Sequence, residues 1–401
     1  MKKRLLSLLL AFTATTMLVG CGGKGEKAEE SKESNIIIWH QYEPAVEEAI
    51  KASFDDFTSK NSNIKLTFVK QNDLSQKLTL IGQSDKDSPD IILGPNDWIG
   101  KFATMEIIDP VSNYIDKSVL DNHNKVTVEA VTYSDKLYGI PMTYECLTFM
   151  YNKKLLTEVP KTSDDLLKLA KEETKDGKWG FVSNVTDAYH TMPWIYGYKG
   201  EAISKDGVPG LSKTETIEGI EFVKELMQYQ PKNVDYAVMD GLFKEGRALS
   251  IVNGSWAIKD YSSNSNIDLG IEVLPVISKS GKSAQPFLGV QAALLTESSK
   301  NKEAAGKVLE YLAGENVGKA FVDTGYLVAN EKVDMASNAY AKKLLEQAEL
   351  TTPMPSAPEM TSVWEPLANV LKSISTEENA NVRDLMENAQ KQVEEKIEAS
   401  K

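Results

Sequence analysis

Residues 35–93 read NIIIWHQYEPAVEEAIKASFDDFTSKNSNIKLTFVKQNDLSQKLTLIGQSDKDSPDIIL, and their pattern decides the fold. Residues 36–39 form an unbroken β-rich apolar run of the buried-strand type. Over 44–57, Val46, Ile50, Phe54 and Phe57 recur at three- and four-residue spacing, the stripe of an amphipathic helix. Residues 64–69 read as a strand, 74–81 as a helix and 90–93 as a strand again. Strand–helix–strand alternation of this kind predicts a parallel sheet with helices on both faces. Ligands of such sheets bind beyond the carboxyl ends of the strands, here around 39–42 and 94–98.

Working outward, a second alternating series begins near Tyr144. Residues 148–151, 180–183, 249–252 and 271–274 read as strands, with helices over 163–171, 217–227 and 238–243. Residues 287–295 form one long β run. The rest is helical over 302–313, 339–347, 363–374 and 382–397, interrupted by the proline-rich stretch 351–358. No glycine- or serine-rich linker separates the two series, and no repeat of solenoid or propeller period occurs. The expected architecture is therefore α/β in two lobes. Each lobe would be a mostly parallel sheet flanked by helices, and the pair would be hinged around a cleft.

The chain has 401 residues, 41% hydrophobic and 26% charged, which excludes wholesale disorder. Its net charge of −13 speaks against nucleic acid and against a polybasic membrane patch. Lys2, Lys3 and Arg4 precede an apolar stretch over 5–19 that is short for a membrane span, as in a signal peptide covering 1–20. Leu18-Val19-Gly20-Cys21 resembles a bacterial lipobox, which implies cleavage before Cys21 and lipidation of its sulfur. Cleavage would remove three positive charges and take −13 to −16. Residues 21–34 carry no large apolar side chain until the strand begins, so they are expected to be a flexible tether. With Cys21 lipidated, Cys146 has no disulfide partner; it reads as a small buried apolar residue.

Catalytic and cofactor signals are weak. His40, His123 and His190 lie far apart, without metal-ligand spacing, and no phosphate-cradling or nucleophile-elbow motif follows an expected strand. No metal or other cofactor is expected. The aromatic residues say more. A sugar ring has an apolar C–H face and a fringe of hydroxyls, so its recognition takes flat aromatic surface beside carboxylate or amide groups. Five aromatic–acid neighbours stand at expected element ends: Asp97-Trp98, Tyr144-Glu145, Asp187-Ala188-Tyr189, Asp235-Tyr236 and Trp364-Glu365. Trp256 adds a further ring after Asn253-Gly254-Ser255.

At these residues the chain resembles the maltose/maltodextrin-binding proteins, the solute-binding receptors of bacterial ATP-binding-cassette sugar importers. The resemblance runs from about Ile36 to Lys396. It rests on Pro89-Asp90-Ile91-Ile92, Lys136-Leu137-Tyr138-Gly139-Ile140-Pro141, Tyr151-Asn152-Lys153-Lys154-Leu155-Leu156, Phe243-Lys244-Glu245-Gly246, Asn253-Gly254-Ser255-Trp256, Pro286-Phe287-Leu288-Gly289-Val290 and Met354-Pro355 with Trp364. It implies three crossings between lobes, near 142–147, 288–293 and 335–340. The N-terminal lobe would comprise 35–143 plus 293–335, and the C-terminal lobe 144–292 plus 336–401. It also implies a linear oligosaccharide held between the lobes and presented to membrane permease subunits by a monomeric receptor, lipid-anchored on the outer face of the cell membrane.

Carried over by position, Asp97, Glu145 and Asp187 match hydroxyl-binding acids. Tyr189, Tyr236, Trp256 and Trp364 match ring-stacking aromatics. Gly94 stands where the family has an aromatic, Trp98 where it has an arginine and Glu365 where it has a tyrosine, so Trp98 joins the expected ligand contacts as a departure. The family's Asp-Lys pair after the first strand finds no clear match in His40-Gln41-Tyr42. These departures leave galacto-oligosaccharides and cyclodextrins open beside maltodextrin. A rival from another class is a surface carbohydrate-active enzyme, which needs two carboxylates astride a glycosidic bond. Another is an adhesion or scaffold lipoprotein with no closing cleft.

Overall fold

The β-rich runs of the opening stretch pair with one another. In the computed structural model, which describes residues 33–81, 88–232, 234–377 and 379–400, Ser34–His40 runs parallel to Ile64–Lys70 on one side and to Ile91–Pro95 on the other. The expected signal peptide, Cys21 and the tether up to Lys32 lie outside the described residues. Helix Pro44–Ser53 begins on a proline, where the missing N–H would have had no helical partner, and buries Val46 and Ile50. It stops at Phe54, and Asp55–Lys60 follows as a separate short helix, so the single helix expected over 44–57 is two. Both phenylalanines still enter the core, their rings edge to face at 5.7 Å.

The large sheet continues beyond the parallel trio. Its order is Leu327–Val328, Gly139–Glu145, Phe287–Thr296, Ile91–Pro95, Ser34–His40, Ile64–Lys70, and Phe287–Thr296 runs antiparallel to both of its neighbours. The second sheet, Leu269–Glu272, Thr148–Asn152 and Ser250–Asn253, is antiparallel throughout its three strands. The expected strand over 180–183 contributes only isolated parallel bridges, Trp179 to Ala248 and Val182 to Ile251. The two-lobed α/β plan is present, but a mostly parallel sheet in each lobe is not. Parallel pairing follows from a helix that returns the chain to the same edge. Strands that enter from the other lobe are under no such constraint.

Three passages of chain join the sheets. Gly139–Glu145 of the large sheet is followed after two residues by Thr148–Asn152 of the small one. Phe287–Thr296 pairs with Ile91–Pro95 through Gln291 to Leu295, while Phe287 and Leu288 pair with Thr352 and Pro353. Between Leu327–Val328 and helix Ala341–Ala348 the chain passes a third time, and Lys343 donates to Glu272 of the small sheet at 2.7 Å. The first two passages lie side by side, Glu145 opposite Gly289 and Tyr144 opposite Val290, with a β-bulge between Gln291 and Ala292. A pair of adjacent extended strands bends more easily than a packed helix, which is what a hinge needs. Cys146 sits in this join, 2% exposed, and burial pushes its thiol far above its ordinary range.

Candidate functional site

The site is assembled from element ends. Strand Ile91–Pro95 runs into the 3₁₀ turn Asn96–Trp98 and then helix Ile99–Thr104. Asp97, in that turn, is 5% exposed, and its Oδ2 accepts a hydrogen bond from the Trp364 indole at 3.0 Å. Its neighbour Asn96 donates to the Met354 carbonyl at 2.9 Å and accepts from the Val290 amide at 3.0 Å, so the corner is braced from two other parts of the chain. Burial pushes the Asp97 carboxyl up to about 6, against the lowering effect of the indole N–H.

Glu145 ends its strand beside the bulge and accepts from the Gln291 amide at 2.9 Å. Part of its surface remains open, yet burial pushes its carboxyl up to about 7, opposed by Gln291. Asp187 is the N-cap of helix Ala188–Gly197, accepting from the Tyr189 amide at 2.7 Å and the His190 amide at 3.4 Å. Burial pushes the Asp187 carboxyl up, but the neighbouring His190 imidazole and those amides outweigh it and hold it below its ordinary range. The imidazole Nδ1 lies 3.7 Å from Asp187 Oδ1, close enough for charge attraction and too far for a good hydrogen bond.

The aromatic residues converge. Tyr189 sits on the first turn of that helix, its ring centroid 6.4 Å from Trp256 and 6.4 Å from Trp364. Trp256 donates its indole N–H to the Tyr236 hydroxyl at 3.1 Å, and the Asn253 amide donates to the same hydroxyl at 3.4 Å. Tyr236 begins helix Tyr236–Lys244, capped by Asp235. Four rings from four different elements thus form one connected wall, with Tyr236, Trp256 and Trp364 fixed by hydrogen bonds at their polar edges.

That wall faces a cavity of about 590 Å³, within the size range of small-molecule sites. Glu145, Asp187, Tyr189, Tyr236 and Trp256 line it, opposite Gln41, Tyr42, Glu43 and the backbone of residues 93–95. A second hollow of about 630 Å³ shares Asp187, Tyr189 and Tyr236 and adds Trp364, so the aromatic wall presents surface on two sides. Asp97 and Trp98 do not line the 590 Å³ cavity. Asp97 is turned toward Trp364, and the Trp98 ring fills the space where a side chain on Gly94 would stand, 2.5 Å from an ideal Cβ there. The expected ligand region at 39–42 does supply Gln41 and Tyr42, whereas sequence reasoning missed Glu43, His190, Gln291 and Tyr326, all of which line the cavity. A signal existed for Gln291, the one polar residue inside the apolar run 287–295.

The family model of the bacterial extracellular solute-binding proteins matches residues 52–347. A maltotriose-binding protein of Pyrococcus abyssi is 26% identical over 377 residues, covering 91% of this chain and 83% of that protein. A galactooligosaccharide-binding protein of Bacillus subtilis is 26% identical, covering 94% and 93%. A maltooligosaccharide ABC transporter solute-binding lipoprotein of Streptococcus pneumoniae is 27% identical, covering 90% and 89%. Among solved structures, the maltose/maltodextrin-binding domain MalE from Bdellovibrio bacteriovorus bound to maltotriose superposes with a TM-score of 0.85 at 28% identity, covering 91% of this chain and all of that one. The chain belongs to the bacterial extracellular solute-binding proteins.

Proposed function

We propose that this protein is the substrate-binding lipoprotein of an ABC importer, capturing a linear oligosaccharide of the maltodextrin type outside the cell and delivering it to membrane permease subunits. The observation that carries this reading is the wall of Tyr189, Tyr236, Trp256 and Trp364 on shared hollows with Asp187 and Glu145. Rings lie against the hydrocarbon face of a sugar, and carboxylate or amide groups take its hydroxyls. The names of the pyrococcal and streptococcal relatives and the maltotriose in the Bdellovibrio structure point the same way.

The reading carries the lobe division proposed from sequence: 35–143 with 293–335, and 144–292 with 336–401. A ligand touching both lobes favours the closed arrangement in proportion to its extra affinity for it. The binding set is Asp97, Glu145, Asp187, Tyr189, Tyr236, Trp256 and Trp364, with Trp98 acting from behind Gly94. Lipidation at Cys21 would hold a monomer at the cell membrane by its anchor alone, as the name of the streptococcal relative suggests. Binding without turnover is the expected chemistry.

Thermal unfolding of residues 22–401 with and without maltotriose tests the proposal, because a ligand bound only by the native state raises Tm. A rise with maltotriose, together with no new reducing ends on prolonged incubation, supports it. No rise with any linear glucan or galactan overturns it. A rise with galacto-oligosaccharide alone favours the second reading, for which the Bacillus relative speaks.

A further inference from the structure

Two side chains lining the cavity carry polar atoms with no hydrogen-bonding partner among the described residues: the Tyr42 hydroxyl and both imidazole nitrogens of His190. Both residues are more than nine-tenths buried, at 8% and 5% exposed. They come from opposite walls. Tyr42 follows strand Ser34–His40, and His190 sits on the first turn of helix Ala188–Gly197.

The rest of each side chain is well held. The Tyr42 ring stacks on His40 at 5.9 Å and meets Phe321 edge to face at 5.6 Å, while its backbone amide donates to His40 Nδ1. The His190 ring is set edge-on between Tyr189 at 6.1 Å and Tyr236 at 6.4 Å. Packing therefore fixes the rings and leaves only their polar tips unanswered. A buried polar tip without a partner destabilises the fold, whereas phenylalanine at Tyr42, or an apolar side chain of imidazole size at His190, would fill the space without that penalty. Sites that keep such a tip against stability are sites where something else completes the bond.

We propose that Tyr42 and His190 are hydroxyl-reading contacts, one on each lobe, whose hydrogen bonds are completed by the captured sugar and which decide which sugar is accepted. The inference rests on the receptor reading above and deepens it. The phenol reads as a donor: burial and the nearby Glu145 carboxylate hold its proton firmly. The imidazole brings two ring nitrogens, which can donate to or, where unprotonated, accept from a sugar hydroxyl. Both tips are almost wholly shielded in this arrangement, so a sugar reaches them as the lobes part and close again around it. A site whose buried groups expect particular hydroxyls rejects sugars that lack them, by leaving those groups unpaired.

The test pairs Tyr42→Phe and His190→Phe with His190→Asn, which keeps a donor and an acceptor. Unfolding is followed thermally without ligand, and maltotriose and 4-galactobiose binding by calorimetry. The expected result is a Tm unchanged or raised in Tyr42→Phe and held within a few degrees in His190→Asn, with affinity for the better sugar lowered by about tenfold in both phenylalanine variants. His190→Asn should recover part of that loss. Wild-type protein that binds no linear glucan or galactan overturns the receptor reading and this inference with it. Wild-type binding with both phenylalanine variants within about twofold overturns this inference alone. Weakened binding in Tyr42→Phe accompanied by a Tm lowered by several degrees overturns it too, since packing would then account for the loss.

Discussion

The two walls of the cavity are built from different material. The wall from the small-sheet side is aromatic: Tyr189, Tyr236 and Trp256, with Trp364 beside them, each on the first turns of a helix or in a 3₁₀ turn. The facing wall mixes polar side chains, Gln41 and Glu43, with the Tyr42 and Tyr326 phenols and the backbone around Gly94, with Trp98 tucked behind the glycine. Aromatic planes grip any sugar face and tolerate small shifts, while hydrogen-bonding tips need a fixed direction. The difference teaches that affinity should reside mainly on one lobe and selectivity on the meeting of the two.

The largest effect should come from Trp364→Ala. It removes ring surface from the gripping wall and leaves the buried Asp97 carboxylate without its indole donor. The expected cost is about 2–4 kcal/mol of stability and about 1–3 kcal/mol of maltotriose affinity, read by denaturant unfolding and calorimetry. Trp256→Ala should lose similar affinity with less stability, because its N–H serves a hydroxyl that Asn253 also serves. Affinity left within about twofold by both would break the assignment of grip to this wall.

A matched pair of glycines sharpens the contrast. An added Cβ at Gly254 would meet the Trp256 ring at 2.0 Å, and one at Gly94 would meet the Trp98 ring at 2.5 Å. Either alanine must push its tryptophan aside, at about 1–3 kcal/mol of stability. Gly254→Ala should weaken sugar binding more, since it displaces Trp256, which lines the cavity, whereas Gly94→Ala displaces Trp98, which does not. Equal losses of affinity would mean that Trp98 contributes to the grip and that the walls differ less than their surfaces indicate.

A third effect belongs to the acids at the seam. Asp97 and Glu145 have ordinary values of 3.8 and 4.5 and are held near 6 and 7 in the fold, so the native state binds their protons more tightly than the unfolded chain does. Stability due to them is therefore complete below about pH 4 and declines as pH rises through 6 and 7. Asp97→Asn and Glu145→Gln should flatten that decline between pH 4.5 and 7.5, each by on the order of 1–3 kcal/mol in chemical unfolding. Buried His40 and His123, whose imidazoles burial pushes down, add an opposing rise common to all variants, so the comparison is between variants. Wild-type, Asp97→Asn and Glu145→Gln profiles that run parallel over this window would contradict the burial assigned to both acids.

Much of the gripping wall was legible in the sequence residue by residue, while of the facing wall only its place was, at the strand ends 39–42 and 94–98. Tyr189, Tyr236, Trp256 and Trp364 announce themselves as large rings beside acids or turns at element ends, a pattern that survives without knowing what they pack against. Helix Ala188–Gly197, which carries Tyr189, was not legible. Every residue in it except Tyr189 is buried and Pro193 lies inside it, so it shows neither a polar face nor an uninterrupted helical run. His190 was lost with it, a lone histidine among apolar neighbours being indistinguishable from a core residue until its nitrogens prove unpartnered. Trp98 misled in the other direction. Its place beside Asp97 says ligand contact, whereas the absence of a side chain at Gly94 draws the indole backward, and that is a fact of three-dimensional space.

The smallest effect concerns the junction of grip and reading. Asp187 caps the helix that positions both Tyr189 and His190, and asparagine caps nearly as well as aspartate. Asp187→Asn should thus leave stability within about 0.5 kcal/mol, while Asp187→Ala, which strands the Tyr189 and His190 amides, should cost about 1 kcal/mol. If the carboxylate serves only as a cap, the asparagine variant binds maltotriose as the wild type does. If it also accepts a sugar hydroxyl, affinity falls several-fold while Tm holds, because the amide nitrogen replaces one of two charged acceptor oxygens. The second outcome is expected: the side chain is half-exposed and lines both hollows, a position no cap requires.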